Sequence, residues 1–339
     1  WLRINYFYMR LRRSSAGASA PGKVVLFGEH FVIYDNPAIL AAIDRRVNVT
    51  VCVNTAGSIN ISSDLELTGS FEGSRFHLLK GTKEAKTILA PLCECARLVL
   101  SERGCNLGLD IELVSNLPES VGLGSSAACC VAITAAVDSL FHEPDRYWVC
   151  AKAAESERLI HKDSSGADCN ISTFGGMMYF VKSEGFKNIY PKKELSLGLI
   201  NTGKKHSTAN LVSSVKKFKD INRFSFKVLA SLSNSICQKA LAALKEGDER
   251  MLGNLMSQAH VLLQEIGVSD KRINELVALC LTNGAWGAKL TGAGGGGSII
   301  VLVPPNEDRL KTFFDGIGKN GWGSESIPVK VDYDGVLVA

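Results

Sequence analysis

The chain has 339 residues, of which 46% are apolar and 21% charged; that balance suits a globular enzyme and excludes a disordered or fibrous chain. A single core rarely grows beyond about 250–300 residues, so two lobes sharing a cleft are expected. The net charge is +4, and Arg3, Arg10, Arg12 and Arg13, all ahead of the first acid at Glu29, account for the whole excess. The remainder is balanced and offers no nucleic-acid-binding face.

The first twenty residues carry arginine and serine but no acid, a pattern shared with transit peptides. A disordered tail over residues 1–19 is the preferred reading, with Met9 a candidate natural start. Val24–Phe27 and Ala38–Ile43 read as short buried strands around the turn Asp35-Asn36-Pro37. Val47–Val53 alternates and reads as a half-exposed strand. Residues 83–101 are helical in pattern, with Pro91 expected to kink or split the helix. A strand at Leu107–Val114 precedes the turn at Asn116–Glu119, and a glycine-rich segment then leads into an apolar helix from Ser125 to Phe141. A second helix is expected from Asp145 to Ile160, and strands at Met177–Val181 and Leu197–Asn201. Residues 206–283 are mostly helical in pattern, and strands at Ala288–Leu290 and Ile299–Val303 flank a second glycine cluster before an extended end at Gly335–Val338. Strands and helices do not alternate steadily, which favours a two-domain α+β architecture over a doubly wound parallel sheet. A boundary near Tyr190-Pro191-Lys192-Lys193 gives an N-terminal domain over 20–195 and a C-terminal domain over 196–339.

No apolar run reaches the length of a membrane span, so neither a membrane-spanning chain nor a membrane partner is expected. Ten cysteines are present without one C-x-x-C pair, and most sit in apolar runs. Reduced, buried thiols in a cytoplasmic or organellar compartment are expected rather than disulfides of a secreted protein.

Gly122-Leu123-Gly124-Ser125-Ser126-Ala127 lies between a strand and a helix. Small residues let the backbone approach an anion, and a helix start presents unpaired N–H groups and positive dipole. The two hydroxyls add donors or a metal ligand. The segment also fits a loose G-x-G-x-x-A dinucleotide pattern, but Pro118 interrupts the approach and no acid closes a following strand. The strict G-x-x-x-x-G-K-[ST] loop is absent, and a tight packing turn stays an alternative. Gly292-Ala293-Gly294-Gly295-Gly296-Gly297 precedes a strand, not a helix, which removes the dinucleotide reading there. Phosphate contact is preferred, with a plain hairpin as the alternative.

Lys23 stands at the entrance of the first strand; it is a solvated residue on its own, or a charge for a transferring phosphoryl group beside a phosphate loop. Glu29 and His30 follow that strand without a second histidine to share a metal, so they are read as substrate-side polar groups, with a structural histidine as the alternative. Glu157 and Asp168 are two surface acids, or two carboxylates that a fold-back through Gly166 brings into one cleft, as phosphoryl transfer requires. No G-x-S-x-G elbow occurs, so nothing supports a hydrolase.

Four blocks in order, Ala20 through His30, Pro118 through Ala128, Glu157 through Asp168, and Lys289-Leu290-Thr291-Gly292-Ala293 with its glycines, resemble the GHMP kinase superfamily and within it the mevalonate kinase family. The resemblance implies a two-domain α+β GHMP-kinase-like fold with the active site in the interdomain cleft. It implies transfer of the γ-phosphate of MgATP to the 5-hydroxyl of mevalonate, with ATP and Mg²⁺ as cofactors and pairing as a homodimer. By motif, Asp168 is the general base and Lys23 the charge beside it. ATP is expected at Lys23, Ser115, Ser120, Val121, Gly122, Leu123, Gly124, Ser125 and Ser126, and Mg²⁺ at Ser126 and Glu157. The substrate is expected at Lys23, Glu29, His30, Asp168, Gly292 and Ala293, with His30 and Lys204 as candidates for its carboxylate. Asn201 through Lys205 resemble a mobile loop over the cleft. Cys169 departs from the asparagine that animal members place after the aspartate. The alternatives are another GHMP kinase acting on phosphomevalonate, a sugar or homoserine, and a silent sensor that keeps the nucleotide cleft.

Overall fold

The computed structural model describes residues 11–73, 75–118, 122–160, 165–204, 208–322 and 326–339. Two sheets organise them. The first has nine strands in the order β13-β1-β2-β6-β3-β4-β5, with β7 paired to β2 and β8 to β7. Its members are β1 (Ser15–Phe27), β2 (Ala38–Asn54), β3 (Ile59–Ser63), β4 (Thr68–Glu72), β5 (Arg75–Lys80), β6 (Gly108–Ser115), β7 (Met177–Val181), β8 (Gly185–Ile189) and β13 (Leu337–Val338). Helices α1 (Lys83–Glu102), α2 (Ser125–Ser139), α3 (Arg146–Ile160) and α4 (Ala167–Phe174) accompany it, and α2 packs against β1, β2, α1, α3 and α4. Almost every α2 side chain from Ala127 onward is buried, which suits a helix that is apolar all round.

The second sheet is antiparallel, in the order β10-β11-β9-β12, from β9 (Leu197–Asn201), β10 (Gly287–Leu290), β11 (Ser298–Leu302) and β12 (Ser326–Val329). Between β9 and β10 run α5 (Thr208–Ile221), α6 (Arg223–Glu246), α7 (Glu249–Glu265) and α8 (Lys271–Thr282), and α9 (Glu307–Ile317) precedes β12. The chain then returns to the first sheet, where β13 pairs with β1 at Ala18 and Ser19. Phe226 of α6 joins the two halves, with its ring 5.7 Å from Phe31 and 4.9 Å from Tyr34.

Several expectations change. Residues 15–19 belong to β1 and pair with β2, although they were expected in a disordered tail. Their small side chains bury little area alone, but Ala16 and Ala18 are covered in the sheet. The two strands expected at 38–43 and 47–53 are one, β2, running through Asp44-Arg45-Arg46. Those charges are tolerated because the C-terminal segment meets them. Lys330 N–H donates to Asp44 at 3.0 Å, and Arg46 pairs with Asp332 and donates to the Gly335 carbonyl. Helix α1 passes Pro91 unbroken. Strands β3, β4, β5, β8 and β12 and helices α4 and α9 lacked a periodic signal strong enough to be anticipated.

Candidate active site

Strand β1 brings Lys23 to the start of α2. Lys23 N–H donates to the Leu123 carbonyl at 2.8 Å, so the glycine-rich segment is stitched to the strand that carries the lysine. Gly124 caps α2 with φ 73°, and a Cβ there would lie 2.8 Å from Lys23 Cγ. Only glycine meets both conditions. Gly124→Ala is therefore expected to strain the cap and push the lysine stem aside, lowering kcat about tenfold with the protein still folded, as read by steady-state kinetics and circular dichroism.

Lys23 Nζ reaches Asp168 Oδ2 at 3.2 Å; the lysine side chain is 9% exposed and the aspartate 33%. Asp168 sits in the first turn of α4, where the helix dipole favours an anion. The ammonium is thus enclosed while the carboxylate keeps an open side. Around them lies a cleft with about 660 Å³ of free space, open to solvent. Lys23, Glu29, His30, Asp168, Gly292 and Ala293 all line it, joined by apolar Val25, Val32, Ile33, Leu40, Phe180 and Val212 and by Thr208. Few polar groups against an apolar wall is the character of a small-molecule site.

His30 has φ 61°, and its Nε2 lies 2.8 Å from the Ala293 carbonyl. That carbonyl assigns the ring proton to Nε2, and burial keeps the imidazole's pKa below its ordinary value. Nδ1 is buried and has no partner among the described residues, and the neutral ring carries no charge for a carboxylate. Lys204, the other carboxylate candidate, is held by Asp270 at 2.6 Å and does not line the cleft.

Ser126 is half-buried in the first turn of α2, and Glu157 is buried on α3, which packs against α2. The Cys169 thiol donates to Glu157 Oε2 at 3.4 Å. Burial and the Glu157 charge raise that thiol's pKa well above its ordinary value, so it stays a donor. The departure at Cys169 therefore supports the acid instead of competing with it. Ser115 closes β6, accepting from Leu117 N–H at 3.2 Å and donating its own N–H to Asp64 at 2.9 Å. Ser120 and Val121 lie outside the described residues. Gly122 is exposed, Leu123 buried and Ser125 exposed at the helix start.

The two glycine segments meet at one point, where a Cβ on Gly292 would lie 3.3 Å from the Gly122 carbonyl. The later glycines serve packing: a Cβ on Gly294 or Gly296 would lie 2.3 Å from the carbonyl of Val268 or Lys204. Residues 294–297 are thus committed to backbone contacts of the second half, and Gly292 and Ala293 are what the cluster presents to the cleft.

Residues 90–176 match the family model for the GHMP kinases N terminal domain, and residues 240–320 match that for GHMP kinases C terminal. A mevalonate kinase of Pyrococcus abyssi is 35% identical over 305 residues, covering 87% of this chain and 90% of its own length. The chain belongs to the mevalonate kinase family. A second relative, the mevalonate kinase of Methanothermobacter thermautotrophicus, is 34% identical over 88% of this chain and 93% of its own. Among solved structures, mevalonate kinase of L. major in complex with R-mevalonate superposes with a TM-score of 0.82 at 28% identity, covering 95% of this chain and 98% of that one. A Lactococcus lactis galactokinase at 17% identity and a TM-score of 0.76 shares the fold.

Within this mevalonate kinase fold, Thr208 and Val212 escaped the sequence reading, and Lys289 and Thr291 were read as part of a motif without a role of their own. Lys289 did leave a signal, since it interrupts the apolar strand Gly287-Ala288-Lys289-Leu290, where no solvent could reach it. Its partner was not visible: Lys289 is fully buried and pairs with Glu29. Thr208 and Val212 reach the cleft only through the packing of α5.

Proposed function

We propose that the chain transfers the γ-phosphate of ATP to the 5-hydroxyl of mevalonate, giving 5-phosphomevalonate. The observation that carries this is the Lys23–Asp168 pair at 3.2 Å, set between the glycine-capped start of α2 and a small cleft. Asp168 accepts the hydroxyl proton as the oxygen attacks phosphorus. Lys23, in contact with that carboxylate and with the capping glycine, stabilises negative charge on the attacking and transferring oxygens. The N–H groups at the start of α2 orient the phosphates. His30 lines the substrate side of the cleft, and the apolar wall excludes water.

Ser126 and Glu157 suit a Mg²⁺ ion by chemistry: both offer hard oxygen donors, and the helices that carry them, α2 and α3, pack together. Bound there with ATP, the ion would neutralise phosphate charge. Ser126→Ala is expected to lower kcat about tenfold and to raise the Mg²⁺ concentration needed for half-maximal rate, as read from magnesium titrations at saturating ATP.

A coupled ADP-release assay with MgATP tests the reading. ADP release should depend on mevalonate; turnover on galactose, homoserine or phosphomevalonate alone would transfer the chain to a sister activity. Binding of ATP without turnover of any of them would make it a sensor.

A further inference from the structure

Four charged groups meet at this site, and only two of them belong to the transfer step just proposed. The other two, Glu29 and Lys289, come from the turn after β1 and from β10 of the second sheet. Lys289 projects from β10, is fully buried, and has three acceptors for its three protons: Glu29, the Leu290 carbonyl at 2.6 Å and the Val25 carbonyl at 3.4 Å. Two residues on, Thr291 Oγ1 accepts from Val25 N–H at 3.0 Å and donates to the Val25 carbonyl at 3.0 Å. Both grip β1 two residues beyond Lys23, and alternate residues of a strand share a face. Glu29 is itself buried and lines the cleft with Lys23.

We propose that Lys289 is a positioning residue for the phosphoryl transfer: by holding the Glu29 carboxylate, it leaves Lys23 to Asp168. A buried carboxylate needs a cation or a proton. The charges acting most strongly on Glu29 are those of Lys289, then Lys23. Among the described residues, the other titratable groups facing the pair are neutral. Cys237 of α6 donates its thiol to the Pro37 carbonyl and is raised by burial, while His260 of α7 is lowered to about 4 by burial and by Lys289. His30 beside Glu29 is likewise neutral. Without Lys289, Glu29 draws on Lys23, in competition with the base.

A double-substitution cycle tests this on the full-length enzyme and rests on the proposed reaction only for its assay. Lys289→Met keeps the stem and removes the charge; kcat should fall about 100-fold with KM for ATP nearly unchanged. The same change made beside Glu29→Gln should cost less than about threefold relative to Glu29→Gln alone, because no carboxylate is left to capture Lys23. The pH profile adds a sign. Burial already raises the pKa of Glu29, and loss of Lys289 removes its largest opposing influence. In Lys289→Met a protonated Glu29 is harmless and an ionised one captures Lys23. Its kcat should therefore fall as pH rises through the new ionisation, a limb missing from the wild type and from the double variant. A purely structural lysine would cost equally in both backgrounds and add no limb, and that result overturns the proposal. If Lys289→Met does not fold, the neutral double variant decides: activity close to Glu29→Gln upholds the proposal and a 100-fold deficit sinks it. Turnover by the wild type of an alcohol other than mevalonate would overturn the substrate assignment, and the cycle is then read on that alcohol.

Discussion

Asp168→Ala is expected to lower kcat by about 1,000-fold while the affinity for ATP stays within a few-fold. The carboxylate is the open member of the Lys23 pair, one-third exposed toward the cleft, while the glycine-rich segment contacts Lys23 from the other side. Removing it takes away the proton acceptor without touching the start of α2 where the phosphates are oriented. Single-turnover measurements at saturating MgATP and mevalonate should place the loss in the chemical step. Asp168→Asn should be nearly as impaired, because the amide keeps the shape but holds no proton-accepting charge. An Asp168→Ala enzyme within tenfold of the wild type would move the base elsewhere; an unchanged kcat with a raised KM would make Asp168 a binding residue only.

The parts of this site legible in the sequence are those whose residue type conflicts with their local setting. Lys23 ahead of an apolar strand, and acids on either side of Gly166, were visible because charges beside apolar runs require a reason. What joined them was not visible. Glu157 and Cys169 are twelve positions apart and meet only because α3 and α4 pack together. Glu29 and Lys289 are 260 positions apart and meet where the turn after β1 reaches β10. The fold was legible where the period was strong, as in the alternation over β2 and the apolar α2. It failed where long-range pairing supplies the stability. The Ser-Ala-Gly-Ala-Ser start of β1 has no pattern of its own and is a strand because β2 lies beside it. The second glycine cluster was legible as close backbone approach, and the carbonyls of Val268 and Lys204 are what come close to Gly294 and Gly296.

Lys23→Met should cost about 100-fold to 1,000-fold in kcat, and the reason lies in how the lysine is held. Its stem is pressed on Gly124, its N–H is bound to the Leu123 carbonyl, and its ammonium meets Asp168 at 3.2 Å. Methionine keeps the stem and the backbone bond, so the start of α2 should stay in place and the protein should unfold at a temperature close to that of the wild type. What disappears is a positive charge held in a mostly buried position, where it acts more strongly on developing negative charge than it would in water. Lys23→Arg should not restore the rate, because a planar guanidinium is wider than the ammonium and the Gly124 contact leaves the stem no freedom to retreat. The pair should also act as a unit: Lys23→Met combined with Asp168→Ala should be only a few-fold slower than Asp168→Ala alone. Full multiplication of the two losses would show that lysine and aspartate act on separate events, the lysine on the phosphate chain alone and the aspartate on the hydroxyl alone.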